Sequence, residues 1–369
     1  MVAKSSAHKY LLIIANSGRL LTQSVNSAGY LPLVIDCFGD SDTEQLAHDN
    51  WVVEQLSINS LQLVIDQIIH LYSVEYVIVG SGFESQHNSL AWLQTKFKLL
   101  GNTSDIVKSI NDPKEFSRTL QALQINQPET RFQPPRQDFD QWLIKPYASE
   151  GGIGIKRFQG QAGQQEVYWQ RFQSGPVYSA LFVAIAYKAR LIGINRQWQT
   201  EQCQGQDFVF SGLIQVQDLP QYSATIVDWI AKLTVAYGLT GLNGIDFIVH
   251  DNQCWLLEIN PRPPASIALY DQAMVLIKLH IDACNGRLPE HINTQTAQIS
   301  AYQIMFAQAP LTIPIAIDWP GWISDRPGAD TKIGAEQPIC SIIATAENTD
   351  AVMRLLQHRM GTIHQLLKY

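Results

Sequence analysis

Apolar residues follow two rhythms along this chain. Residues 10–15 (YLLIIA) form an unbroken apolar run that ends at Asn16-Ser17-Gly18. A helical spacing through Leu20, Leu21, Val25 and Ala28 follows, Gly29 stops it, and residues 31–35 are apolar again. Strand, helix and strand in so short a stretch predict a βαβ unit with a parallel sheet. A helix over 43–56, an amphipathic helix over 60–71 and a buried strand at 76–79 extend the pattern to a doubly wound α/β domain over residues 1–93. The chain is then helical and polar from 105 to 130, and Pro134-Pro135 marks a boundary.

Beyond that point the period shortens. Strands are expected at 142–145, 153–158, 177–186, 191–195 and 209–214, then a helix over 222–237 closed by Gly238. Two more strands, 244–249 and 254–259, flank a turn at Asp251-Asn252. This region reads as antiparallel and helix-backed. After residue 291 the chain is β-rich around Pro338-Ile339-Cys340, with a last helix over 349–358. The fold class is therefore α/β followed by α+β.

The 369 residues, 46% apolar and 16% charged, suffice for two or three domains with sizeable cores. A net charge of −7 without a long basic run argues against nucleic acid or an anionic membrane as partner. Five scattered cysteines, none in a CxxC pair, argue against a disulfide framework or structural zinc. They read as free thiols in a reducing cytoplasm. The apolar run at 10–15 is too short for a signal-peptide core and reads as a first strand.

The strongest chemical signal is Gly244-Ile245-Asp246-Phe247-Ile248-Val249 followed by Leu256-Leu257-Glu258-Ile259-Asn260-Pro261-Arg262. As a hairpin it places two carboxylates, an amide oxygen and a guanidinium on an otherwise apolar element. Carboxylates in such surroundings need a cation, and hard oxygen donors suit Mg²⁺ shared with substrate phosphates. Alternatively the acids pair with Arg262 or face solvent. The second signal is Leu143-Ile144-Lys145-Pro146-Tyr147-Ala148-Ser149-Glu150-Gly151-Gly152-Ile153-Gly154-Ile155-Lys156. Its glycines let backbone N–H groups approach phosphate oxygens, and Lys145 adds a point charge; alone, it would equally be a surface turn. The first domain lacks the GxGxxG fingerprint, so a dinucleotide is disfavoured there. Ser17, Arg19 and the Asp36–Asp42 segment could still touch a substrate, or Ser17 could simply cap a helix. Arg196 could clamp a carboxylate or form a surface ion pair.

Together these motifs resemble the ATP-grasp superfamily of carboxylate–amine and carboxylate–thiol ligases, over nearly the whole chain. The resemblance implies an ATP-grasp fold: a pre-ATP-grasp domain at 1–93, an ATP-grasp domain at 94–290 and a small β-rich C-terminal domain at 291–369. Within 94–290 it implies a Gly-rich lobe at 131–172 and a metal-binding lobe at 173–290. It implies ATP with Mg²⁺ (or Mn²⁺), Asp246, Glu258 and Asn260 as metal ligands, and Arg262 stabilising an acyl phosphate. Lys145 and Lys114 match the two ATP lysines, and Gly151, Gly152 and Gly154 match a phosphate loop that closes as a lid. Gln170 and Phe172 fall in the hinge whose backbone reads adenine. Many relatives carry Glu in that hinge, where this chain has Gln170-Arg171. Glu150 is a further departure, turned outward or contacting an amine.

Ser17-Gly18-Arg19, Asp36-Cys37-Phe38-Gly39-Asp40-Ser41-Asp42-Thr43 and Asn260-Pro261-Arg262-Pro263-Pro264-Ala265-Ser266 also look like a carboligase-like branch related to biotin carboxylase and found with one-carbon cofactor genes of methylotrophs. The activity this implies is ATP-dependent joining of a carboxylate to an amine, with glutamate and tyramine in methanofuran-type cofactor synthesis as the nearest example. A cytoplasmic homodimer acting on small molecules is the implied setting. A nucleotide-binding regulator with little turnover and a carboxylase of biotin-carboxylase type are the competing expectations.

Overall fold

The computed structural model describes residues 9–147, 150–161, 166–200, 203, 207–217, 219–271, 276–292 and 297–367. Residues 1–8 and the Ala148-Ser149 step of the Gly-rich segment lie outside them. Strands β1 (Tyr10–Ile14), β2 (Leu31–Asp36), β3 (Asp49–Val52), β4 (Tyr76–Val79) and β5 (Lys98–Leu100) form a parallel sheet ordered β3-β2-β1-β4-β5. Helices α1 (Arg19–Ser27), α2 (Ser41–Leu46), α3 (Ile58–Leu71) and α4 (His87–Lys96) connect them. The order reverses between β1 and β4, so the loops after β1, β2 and β4 gather where open α/β sheets bind ligands.

The helix expected at 43–56 stops at Leu46, and Asp49–Val52 of that stretch is β3. Trp51, Val52 and Val53 favour an extended backbone, and the open edge of β2 supplies partners for it. The sheet continues past residue 93 to Leu100. The polar helical stretch is two helices, α5 (Ser104–Asn111) and α6 (Pro113–Ala122). Pro113 has no N–H to continue α5, and Asp112 accepts from the N–H groups of Lys114 and Glu115.

A small antiparallel sheet follows: β6 (Thr130–Arg131), β7 (Trp142–Pro146), β8 (Lys156–Arg157) and β9 (Val167–Arg171), ordered β6-β9-β7-β8 over a core of Trp142, Phe158 and Trp169. The large sheet begins with β10 (Val177–Ile185), β11 (Lys188–Gln199), β12 (Phe210–Val216), β13 (Thr240–His250) and β14 (Gln253–Asn260). Helix α7 (Pro220–Tyr237) packs Ile226, Ile230 and Leu233 against Phe182, Ile245 and Phe247 of that sheet. Each such side chain contributes about 1.5–3 kcal/mol relative to exposure.

The β-rich C-terminal segment continues the same sheet. Strand β15 (Ile299–Phe306) pairs with β12, and after β16 (Leu311–Thr312), β17 (Ile323–Ser324) and β18 (Lys332–Ile333) comes β19 (Pro338–Ala346). The eight-stranded order is β14-β13-β10-β11-β12-β15-β19-β17. Helices α8 (Ile267–Tyr270) and α9 (Leu276–Cys284) lie between β14 and β15. The last helix, α10 (Thr349–Leu367), outruns its expected end because Ile363 and Leu367 still have core to cover.

His280 on α9 joins the first domain to the large sheet. Its Nδ1 accepts from the Leu242 N–H at 2.9 Å, which leaves the Nε2 proton for the Leu100 carbonyl at 3.1 Å. Burial holds this imidazole neutral by pushing its pKa down to about 4. The five cysteines are unpaired. Among the described residues no helix is long and apolar enough to cross a membrane.

Candidate active site

The β13–β14 hairpin brings the motif acids together. Register pairs Asp246 with Glu258 and Gly244 with Asn260, with a bulge immediately after Asp246. Gln197 Nε2 donates to Asp246 Oδ1 at 3.0 Å, and Asn260 Nδ2 lies 3.4 Å from Oδ2. Burial first, then the charge of Glu258, raises the Asp246 carboxyl well above the usual carboxylate range. Two facing acids with this little compensation are relieved by a cation. Among the described residues no group of three or more His, Cys, Asp or Glu converges as a self-sufficient metal site. Two carboxylates and an amide oxygen fit a hard ion that takes its remaining ligands from phosphates and water.

Neither acid is neutralised by direct pairing with Arg262. The Arg262 guanidinium turns to Glu84, with Nε at 2.6 Å, and reaches Glu150 at 3.5 Å. Charge from these two acids outweighs burial and raises the Arg262 pKa. Glu84, on the loop after β4, has its own pKa lowered: the Arg262 charge and hydrogen bonds outweigh burial, the largest single influence. Glu150 turns inward. Its other oxygen accepts from Asn16 Nδ2 at 3.0 Å, while burial and the nearby Glu84 raise its pKa. A loop of the small sheet thus reaches both the hairpin and the first domain.

Gly152 explains how the loop sits. Its φ is +82°, and a Cβ there would collide with the Phe208 carbonyl, so only glycine lets the backbone dock. The Gly151 carbonyl accepts from the Phe210 N–H at 2.9 Å, fixing the loop on the large sheet. Lys145 is buried beneath it, donating to Gln170 Oε1 at 3.1 Å, and Gln170 in turn donates to Thr130. The Gln170 side chain therefore orients the lysine. Phe172 lies under the Arg157 guanidinium, 3.4 Å from its ring centre.

All of this opens on one cavity of about 1160 Å³, lined by Asp246, Glu258, Asn260, Arg262, Lys145, Gly151, Gly152, Gln170, Phe172, Ser17 and Arg19. Gly154 sits in the same turn but is not among the lining residues. Lys114 is exposed on α6, 5.7 Å from the Phe132 ring, and does not line the cavity. Arg196 is exposed and lines a shallow pocket instead. The period of two explains it: Gln197 faces Asp246, so Arg196 faces away. Ser17 does not cap α1, whose N-cap is Gly18; its hydroxyl donates to Asp325 Oδ1 at 3.2 Å. Arg19 pairs with Asp42 at 2.9 Å.

Glu84, Gln197 and Asp325 were not singled out by sequence reasoning. Glu84 had a readable signal, a carboxylate in the loop at the carboxyl end of a strand beside the switch point. The other two are set by strand register and by a C-terminal segment folding back.

Comparison with known proteins bears on the fold and on the central domain. The family described as ATP-grasp domain matches residues 110–266. The formate-dependent phosphoribosylglycinamide formyltransferase of Francisella tularensis is 21% identical over 385 residues, covering 96% of this chain and 97% of that one. The carbamoyl phosphate synthase large chain of Archaeoglobus fulgidus is 21% identical over 280 residues, 68% of this chain but 25% of that one. This chain thus spans about a quarter of the latter. Among solved structures, the biotin carboxylase domain of Hydrogenobacter thermophilus 2-oxoglutarate carboxylase superposes with a TM-score of 0.73 at 10% identity, covering 95% of this chain and 89% of that one. An L-amino acid ligase from Bacillus licheniformis gives 0.70 at 12% identity, with 96% and 97% covered. Residues 110–266 thus match an ATP-grasp domain, and the chain shares its fold with these solved structures.

Proposed function

We propose that this protein is an ATP-dependent carboxylate–amine ligase that works through an acyl phosphate and releases ADP and phosphate. One observation carries the reading: the Asp246–Glu258 pair, Arg262, buried Lys145 and the glycine loop share a single cavity. Lys145 is held by Gln170 to meet phosphate charge, and the N–H groups around Gly151, Gly152 and Gly154 cradle phosphate oxygens. Lys114 is proposed to assist from α6. The hinge around Gln170 and Phe172 takes the adenine. Asp246, Glu258 and Asn260 hold Mg²⁺ (or Mn²⁺). Bound there, the ion would supply charge neutralisation on the transferring phosphoryl group.

The carboxylate of the first substrate lies against Arg262. Of its two carboxylate contacts, the longer one to Glu150 is the one given up as substrate enters, while Glu84 keeps the guanidinium aimed. Attack of that carboxylate on the γ-phosphorus needs positioning and electrostatics more than covalent help. Arg262 then stabilises the oxyanion formed when the amine attacks the acyl carbon. Ser17 and Arg19, which line the cavity, are proposed to contact substrate, whereas Arg196 faces away from it. Glutamate and tyramine in methanofuran-type one-carbon cofactor synthesis are the substrates we favour, used in the cytoplasm.

The test is incubation with Mg-ATP, pooled amino acids and pooled amines, with ADP, AMP, phosphate and pyrophosphate quantified. ADP and phosphate appearing only with both pools, and lost in Glu258→Gln, support the ligase. Turnover that needs bicarbonate and no amine pool supports a carboxylase. Nucleotide binding without turnover under every condition supports a regulator.

A further inference from the structure

Four aspartates meet where the first domain touches the C-terminal segment: Asp36, Asp40, Asp42 and Asp325. Two are accounted for by the fold. Asp36 accepts from the N–H groups of Gly18 and Gly39, and Asp42 from Arg19 and the N–H groups of Asp325 and Arg326. The nearby cations are committed as well. Arg19 is tied to Asp42, and Arg326 donates to the carbonyls of Ile323 and Pro320.

Asp40 and Asp325 are different, because both line the cavity. Asp325 accepts from Ser17 and Ser341 hydroxyls and feels the charge of Arg19, whose guanidinium is paired with Asp42 instead. Asp40 is only 6% exposed, and the positive charge that reaches its carboxyl is that of Arg19, which is itself paired with Asp42. A buried carboxylate short of positive charge and facing a cavity is costly until a donor arrives. Phe38, two residues earlier, is exposed at 57% and lines the same cavity, so the donor's carrier has apolar surface to meet. The acids do not converge as a metal site would, which favours an organic cation over an ion. Two consecutive residues join this end to the reacting end: Asn16 donates to Glu150, the partner of Arg262, and Ser17 donates to Asp325.

We propose that Asp40 and Asp325 form the recognition site for the amine co-substrate, taken as a primary ammonium on an apolar body. The assignment rests on the ligase reading and divides the cavity by charge, with the carboxylate substrate at Arg262 and the ammonium at Asp40 and Asp325. The same acids repel a phosphorylated acceptor. Burial, followed by the charges of Asp325, Asp42 and Asp36, raises the Asp40 pKa to about 8, and a cation alongside relieves that strain.

Calorimetric titration of the Mg-ADP-loaded protein tests this, with tyramine, phenethylamine and cadaverine as cationic probes. 4-Ethylphenol and 3-(4-hydroxyphenyl)propionate are the neutral and anionic counterparts. At least one cation is expected to bind saturably, and to bind about tenfold or more weakly to Asp40→Asn and Asp325→Asn. Asp325 has φ +54°, which asparagine accepts, so that variant keeps the backbone if Asp40→Asn fails to fold. Three silent cations, unchanged affinity in both variants, or 4-ethylphenol binding as tightly as tyramine each overturn the proposal. Mg-ADP binding to the same preparations is read separately. Its loss in the unsubstituted protein defeats the ligase reading itself, whereas its retention beside a failed amine titration defeats only the amine site.

Discussion

Two pairs of acids in this molecule have similar composition and opposite surroundings. Asp36 and Asp42 are buried among backbone N–H groups and an arginine, and every donor they meet belongs to the fold. Asp246 and Glu258 face each other across a hairpin, where Asp246 meets two amide side chains and Glu258 is exposed to the cavity. The first pair binds the C-terminal segment to the first domain. The second is left short of positive charge on the wall of a large cavity. What separates a structural carboxylate from a functional one here is the source of its compensating charge, and that contrast can be broken by substitution.

The largest expected effect is at the hairpin. Glu258→Gln removes metal-dependent turnover while the melting temperature stays near that of the parent protein; retained turnover would cancel the metal assignment. Arg262→Ala should lower kcat by roughly 10²–10³, the cost of a typical oxyanion donor. A loss under about threefold takes it off the catalytic residues. At the other pair the consequence reverses. Asp42→Ala strands Arg19 and two backbone N–H groups, and should cost about 3 kcal/mol of stability while folded protein still binds Mg-ADP. A thermal melt and a nucleotide titration on one sample read both halves.

Smaller effects sharpen the phosphate end. Lys145→Ala should weaken ATP use by about tenfold to a hundredfold, the worth of a charge-assisted hydrogen bond, read as kcat/KM for ATP. Lys114→Ala, exposed on α6, should change the same ratio by less than about threefold. A larger loss would mean that α6 moves toward the phosphates during the reaction.

The chemistry was readable in the sequence wherever it is local. Asp246, Glu258, Asn260 and Arg262 lie on one hairpin, where alternation alone brings them together, and the glycine loop announces itself by composition. The partners that tune them are far off in sequence: Glu84 stands 178 residues from Arg262, Glu150 stands 112 from it, and Gln197 stands 49 from Asp246. No periodicity encodes such distances, because topology and register set them. The same limit explains Arg196. Its residue type suited a carboxylate clamp, but only the strand pairing reveals which neighbour faces inward. In the fold, long apolar runs reported their strands faithfully. The short edge strand β3 was mistaken for helix because its pairing with β2, a tertiary contact, outweighs the local pattern.

The central claim is a carboxylate phosphorylated by ATP, and oxygen labelling follows that step directly. With a carboxyl-¹⁸O-labelled amino-acid pool, Mg-ATP and the amine pool, mass spectrometry of the released phosphate should find one ¹⁸O atom transferred from the substrate carboxylate. Phosphate whose added oxygen comes only from solvent water, or release of AMP and pyrophosphate, would contradict the account.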